Sequence, residues 1–205
     1  MDADRPASGE ELNPGAPTEP RQAATVIVLR DGADGLEVLL LRRNPDSRFM
    51  GGAWVFPGGA VDPGDASHRA AAVREVEEEA GLVLPDPGAL IRFSQWITPK
   101  EIAIRFDTHF FLAPVPPGQE ARADGQEMVD LGWYTPAGAL EARRRGALEL
   151  VFPTMKHLEQ LAPFASADAL MAWAEGREVV AVEPRVRMSG ETARVVLPGE
   201  PGYEE

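Results

Sequence analysis

The chain has 205 residues, 44% of them hydrophobic, which is enough to bury one good core and favours a single domain. A formal net charge of −13 argues against a nucleic-acid-binding surface, which would show a basic stripe, yet permits an anionic small molecule wherever arginines or cations reverse the sign locally. Cysteine is absent, excluding disulfides, a thiolate nucleophile and cysteine-ligated zinc, and no apolar run approaches the ~18–20 residues that span a bilayer.

Residues 1–21 are rich in Pro, Gly, Asp and Glu and almost lack large apolar side chains, a composition that predicts a disordered tail. From Ala23 to Leu29 the chain is apolar and β-branched, as in a buried strand. Asp31 to Gly35 (DGADG) supplies a turn, and Leu36 to Leu41 makes the return strand. A short strand from Ala53 to Phe56 enters the turn at Gly58-Gly59. A helix follows from about Ser67 to Ala80, with Asp65 or Ser67 as N-cap and Gly81 as its stop. Leu90–Ile97 and Arg105–Val115 read as strands; in the second, Phe106, Thr108, Phe110 and Leu112 share one face, and Arg105, Asp107, His109 and Phe111 the other. A further strand, Val129–Tyr134, leads through Pro136 into a helix ending near Arg145. Helices are expected around Thr154–Leu161 and Ala167–Ala174, the latter capped by Ser166, then a late strand over Glu178–Val182. Residues 184–205 show no clear period and read as an extended segment. Residues 22–183 are thus the expected domain, with a tail at each end.

The chemistry concentrates in one helix. At about 100° per residue, Glu75, Glu78 and Glu79 share one edge, beside an apolar stripe of Ala72, Val73, Val76 and Ala80. Like charges at this spacing repel by roughly 0.2–0.5 kcal/mol per pair in an isolated helix. Something is expected to neutralise them, and a hard, oxygen-preferring divalent cation, Mg²⁺ first, is the natural partner. Arg74 stands four residues before Glu78 and is placed to hold it; Glu77 points away and reads as surface charge. His68, His109 and His157 have no metal-ligand spacing and receive no catalytic role. Neither a GxSxG elbow nor a P-loop occurs, which removes serine-hydrolase and NTPase readings.

The stretch REVEEEAGL, Arg74 to Leu82, resembles the second half of the Nudix box, REUxEExGU with U a bulky aliphatic residue. The first half departs from that pattern. Five residues after Gly59 stands Asp65 in place of the usual Glu, and eight residues rather than seven then precede Arg74. This variant is similar to that of the coenzyme A and acyl-coenzyme A diphosphatase branch. The upstream stretch agrees: Leu39, Leu40, Arg43, Arg48, Gly52 and Phe56 to Gly59 fall in register with that branch's signature, with Leu41 in place of Thr and Asn44 in place of Ser or Ala. The segment Trp96 to Ala113 resembles the longer acyl-coenzyme A diphosphatases.

The resemblance implies a Nudix-type α/β/α sandwich with a mixed β-sheet. It implies an enzyme that uses Mg²⁺ or Mn²⁺ to cleave a diphosphate linkage, in coenzyme A or acyl-coenzyme A, to 3′-phospho-AMP and (acyl-)phosphopantetheine. Metal ligands would be Glu75, Glu78, Glu79 and the backbone carbonyl of Gly59, with Arg74 orienting a glutamate. The family often recruits a base from a later loop; of Glu120, Asp124, Glu127 and Asp130, Glu127 is the choice here, and Glu78 or Glu79 is the alternative. Arg43 and Arg48 are candidates for phosphate contacts because guanidinium forks match phosphate oxygens, with Gly58 and Gly59 allowing close approach. Trp54, Trp96 and Phe106 are candidates to stack on an adenine, or else core residues. Another nucleoside diphosphate derivative (ADP-ribose, a dinucleotide or an oxidised nucleotide) is the alternative substrate, and a non-catalytic binding module the alternative role. A homodimer is expected by analogy. The lack of a basic region followed by an apolar run, and the ending PGYEE, make the cytoplasm the expected location.

Overall fold

A computed structural model of the chain describes residues 12–189 and 192–204. Its central strand is β1 (Arg21–Gly32), which turns at Ala33-Asp34 into the antiparallel β2 (Gly35–Arg43). Along β1, Val26 and Val28 face one way and Ile27 and Leu29 the other, and all four are fully buried. An interior strand apolar on both sides calls for a layer on each face of the sheet.

The rest follows that requirement. On its other edge β1 runs parallel to β6 (Phe106–Pro114), which pairs antiparallel with β5 (Ile91–Ile97); β5 in turn takes β8 (Ala181–Val182) in parallel. Near its start β1 also pairs with β4 (Gly58–Ala60), and the far half of β2 carries both β3 (Trp54–Val55) and β7 (Met128–Tyr134). One face is covered by helix α1 (His68–Ala80), whose Ala72, Val76 and Ala80 pack with Val26, Val28 and Phe111. The other is covered by α2 (Pro136–Arg144), α3 (Phe152–Leu161) and α4 (Ala167–Ala174), where Leu158, Leu161 and Leu170 meet Ile27, Leu29 and Phe110. Burial of each such side chain contributes roughly 1.5–3 kcal/mol. The mixed sheet between helical layers is the expected α/β/α sandwich. Among the described residues no helix is long and apolar enough to cross a membrane.

Two terminal segments differ from the sequence reading. Residues 1–11 of the expected tail lie outside the described residues, but from Leu12 onward the chain is docked. Leu12 bridges Ile102, Asn13 N–H donates to the Glu101 carbonyl, and Arg105 donates to the Thr18 carbonyl. At the other end, residues 184–205 are not simply extended. Strands β9 (Arg185–Ser189) and β10 (Thr192–Val196) form an antiparallel pair of their own. Arginines alternate there with apolar residues (Arg185, Val186, Arg187, Met188), and that period-2 signal was diluted by the glycine- and proline-rich residues that follow.

One buried group stands out. His157 on α3 is 1% exposed, packed against the rings of Phe56, Phe93, Trp96 and Phe110, with Nε2 2.6 Å from Ser94 Oγ. A register shift between Arg92 and Ser94 bends β5 at this point. Burial pushes the imidazole from 6.5 down to about 3, against a weak opposing pull from the Pro153 carbonyl. The folded state therefore holds a neutral ring while the unfolded chain protonates it below ~6.5, so stability present at neutral pH is lost as pH falls from there towards 3. In urea titrations across pH, His157→Gln is expected to be less stable than the parent at pH 7. The difference should shrink by up to ~1.4 kcal/mol per pH unit below ~6.5; a gap independent of pH would show that His157 does not titrate this way.

Candidate active site

The site is built where α1 meets β4. Helix α1 starts at Ser67, whose hydroxyl accepts from Ala70 N–H, and stops at Gly81 in the left-handed region (φ 63°). Between those caps the acidic edge faces the glycine strand. Gly58 pairs with Thr25 and Gly59 with Ala24. A Cβ on Gly58 would lie 2.5 Å from the Ala24 carbonyl oxygen, and one on Gly59 2.6 Å from the Glu75 carboxylate. No other residue fits either position without displacing its neighbour.

Glu79 is 4% exposed and accepts a 2.8 Å hydrogen bond from Gly58 N–H. Burial raises its pKa to about 8; Glu75 and Glu127 push the same way, and the Gly58 N–H and Arg43 oppose them. Burial also raises that of Glu75, which Arg74 counters and Glu78 and Glu127 reinforce. Glu78 is the exposed member of the set. Four carboxylates (Glu75, Glu78, Glu79 and Glu127) therefore act on one another, although Glu127 comes from a loop almost fifty residues downstream.

Arg74 is the main compensating charge. Its Nη1 donates to Glu75 Oε1 at 2.8 Å and to Glu78 Oε2 at 2.9 Å. On its other side, Nε and Nη2 engage Asp65 at 3.2 and 2.9 Å, and Nη2 also reaches the Ala60 carbonyl. That fork holds the Asp65 carboxyl below the usual range. Asp65, which the sequence left as a possible cap or a departure from the box, is thus the anchor of the guanidinium. No three His, Cys, Asp or Glu side chains among the described residues are arranged to hold a metal ion as they stand, and Arg74 engages two of the glutamates, Glu75 and Glu78.

Arg43, at the end of β2, donates to Glu127 Oε1 at 2.9 Å and to the Phe49 carbonyl. Asn44 fastens the same loop: its N–H donates to the Glu127 carbonyl and its Nδ2 to that of Gln126. Asp124 holds the loop from inside, accepting from the N–H groups of Gln126, Glu127 and Met128. Arg43, Gly58, Gly59 and Glu127 also line a cavity of about 350 Å³ that extends among apolar side chains of the α3 face. Arg48 lies exposed in the turn after β2 and does not line it.

Of the aromatic candidates, Trp54 is core, edge-on to Tyr134, whereas Trp96 and Phe106 line the cavity. His68 and His109 stack on each other at 3.9 Å. The sequence reading missed the cavity wall of Phe49, Met50, Val186 and Val195. Met50 carries a φ of 53°, a strained conformation for a non-glycine residue, and no sequence signal announces it. A double-mutant cycle with Arg74→Ala and Asp65→Ala, read by chemical denaturation with chelator present, is expected to give a coupling of roughly 0.5–1 kcal/mol. Additive losses would mean that the fork is an incidental surface pair.

The NUDIX domain matches residues 19–154. The human acyl-coenzyme A diphosphatase NUDT19 is 25% identical, over 84% of this chain and 74% of its own length. A putative 8-oxo-dGTP diphosphatase of Bacillus subtilis is 34% identical over 56% of this chain and 66% of its own. Among solved structures, a NUDIX hydrolase from Alicyclobacillus acidocaldarius superposes with a TM-score of 0.70 and 28% identity, over 76% of this chain and 96% of that one. With a domain match across most of its length and a sandwich of the same kind, the chain belongs to the Nudix family and is a hydrolase of phosphorus-containing anhydrides.

Proposed function

We propose that this Nudix hydrolase acts on coenzyme A or acyl-coenzyme A, releasing 3′-phospho-AMP and (acyl-)phosphopantetheine, with Mg²⁺ or Mn²⁺ as cofactor. The observation that carries the reading is the meeting of Arg43 and Glu127 with the glutamates of α1 across Gly58-Gly59, at the mouth of an apolar cavity. Similarity to an acyl-coenzyme A diphosphatase over most of the chain supports it.

The donor set suits a hard divalent cation: the oxygens of Glu75, Glu78 and Glu79, with a Gly59 backbone so close to Glu75 that a Cβ would fill the space between them. Glu79, with burial pushing its pKa to about 8, is a carboxylate that a cation would stabilise. When bound, the metal polarises phosphoryl oxygens and lowers the pKa of a coordinated water. The chain's own residues do the rest. Arg74, anchored by Asp65, keeps Glu75 and Glu78 oriented. Arg43 offers its guanidinium to phosphate oxygens at the cavity mouth. Glu127 is the base on this reading: its carboxylate takes a proton from the attacking water as the new P–O bond forms, and the bridging P–O bond breaks to leave the second phosphate as an anion. A cytoplasmic location is part of the proposal. An oxidised nucleotide is the second reading, favoured by the likeness to the putative 8-oxo-dGTP diphosphatase.

Purified protein incubated with Mg²⁺ or Mn²⁺ and a panel of coenzyme A, an acyl-coenzyme A, ADP-ribose, NADH and 8-oxo-dGTP, read by mass spectrometry, is expected to release 3′-phospho-AMP ahead of other products. Glu79→Gln should lower that rate at least ~100-fold, and a chelator should abolish it. Faster turnover of 8-oxo-dGTP or ADP-ribose would discard the coenzyme A reading while keeping the chemistry.

A further inference from the structure

The C-terminal pair β9–β10 lies beyond the residues matched by the family, yet it walls the cavity beside the site. Val186 and Val195 are cross-strand partners, and both line it. The pair is built in rather than loosely appended. Buried Arg105 donates to Glu183 Oε1 at 2.7 Å, to the Thr18 carbonyl at 2.6 Å and to the Thr98 carbonyl at 3.0 Å. Val186 N–H donates to Glu101 Oε2, Tyr203 Oη–H to the Glu183 carbonyl, and Arg187 to the carbonyls of Gly202 and Tyr203. One buried guanidinium thus joins the N-terminal segment, the loop after β5 and the C-terminal pair into a fixed rim.

The chemistry of the lining selects its occupant. Val186 and Val195 share the lining with Ile102, Phe106, Trp96 and Phe152. Among the described residues that line the cavity, the charged side chains are Arg21, Arg43 and Glu127, and the last two are paired with each other. Apart from these, the polar side-chain groups that line it are threonine hydroxyls and the Trp96 indole N–H, with no side-chain amide or imidazole among the described lining residues. An aliphatic chain loses nothing on entering such a wall, whereas a nucleobase or phosphate forfeits hydrogen bonds to water. We propose that the cavity receives the aliphatic acyl chain of a coenzyme A thioester, and that Val186 and Val195 set the chain length it accepts. This rests on the coenzyme A reading above.

The test is kcat/KM for free coenzyme A and for thioesters from acetyl to dodecanoyl, in the full chain with Mg²⁺. The wild type is expected to gain about four-fold per methylene until the cavity is filled, then level off or fall. Val195→Trp should move the optimum to shorter chains and Val195→Ala to longer ones, with far-UV circular dichroism and Tm confirming that each is folded. If the tryptophan variant does not fold, the alanine arm decides. Hydrolysis of every thioester at the rate of free coenzyme A, or the same optimum in all proteins, would overturn the acyl-chain proposal and leave the substrate class intact. Hydrolysis of none of them would overturn both.

Discussion

The rest of this site depends on one packing constraint: the acidic edge of α1 is pressed against the two glycines that open β4. Glycine at 58 and 59 lets the helix approach until the Glu75 carboxylate occupies the space of a missing Cβ and Glu79 sits beneath the backbone N–H of Gly58. Moving two carboxylates out of water this way is costly unless positive charge or donors follow them. The compensation comes from Arg74 and Gly58 N–H, and from Arg43 at longer range. The same low-dielectric seat that makes the cluster costly is what, on the proposed reading, would draw a cation to it.

The departures from the family pattern at Asp65 and Asn44 have physical accounts. Asp65 is one methylene shorter than the usual glutamate and one position displaced, and the extra residue before the helix still lets it reach Arg74 with both oxygens. Asn44 stands where the coenzyme A signature has Ser or Ala. Its longer amide spans to Gln126, so together with Arg43 it ties the loop carrying Glu127 to the end of β2. Both substitutions serve to hold a neighbouring charged group.

The carboxylate cluster and the apolar cavity come from different layers of the sandwich. Helix α1 supplies the glutamates from one face of the sheet, while the cavity is lined from the opposite face by α3, the ends of β5 and β6, and the C-terminal pair. The two meet at Gly58-Gly59, Arg43 and Glu127. Such an arrangement lets the wall vary in sequence while the charged cluster stays fixed.

The sequence by itself determined whatever rests on local periodicity and short-range spacing. The helix of the box, its Gly81 stop, its start at Asp65 or Ser67 (the structure takes Ser67), the both-sides-apolar strand at Val26–Leu29 and the alternation of Phe110 against Phe111 were legible, because each depends on residues within a few turns of one another. The shared edge of Glu75, Glu78 and Glu79 followed from helical geometry in the same way, and the α/β/α sandwich from the resemblance those residues carry. Only the tertiary structure decided how distant segments meet: Glu127 against Arg43, Asp65 rather than solvent beneath Arg74, the docking of Leu12 to Thr18, and the return of Val186 and Val195 to the cavity. These contacts bridge residues from nine to more than a hundred positions apart, and their apolar or charged partners carry no local pattern that names them. Their pairing is set by the sheet order, which places the ends of β2, β4, β5 and β6 around one cavity.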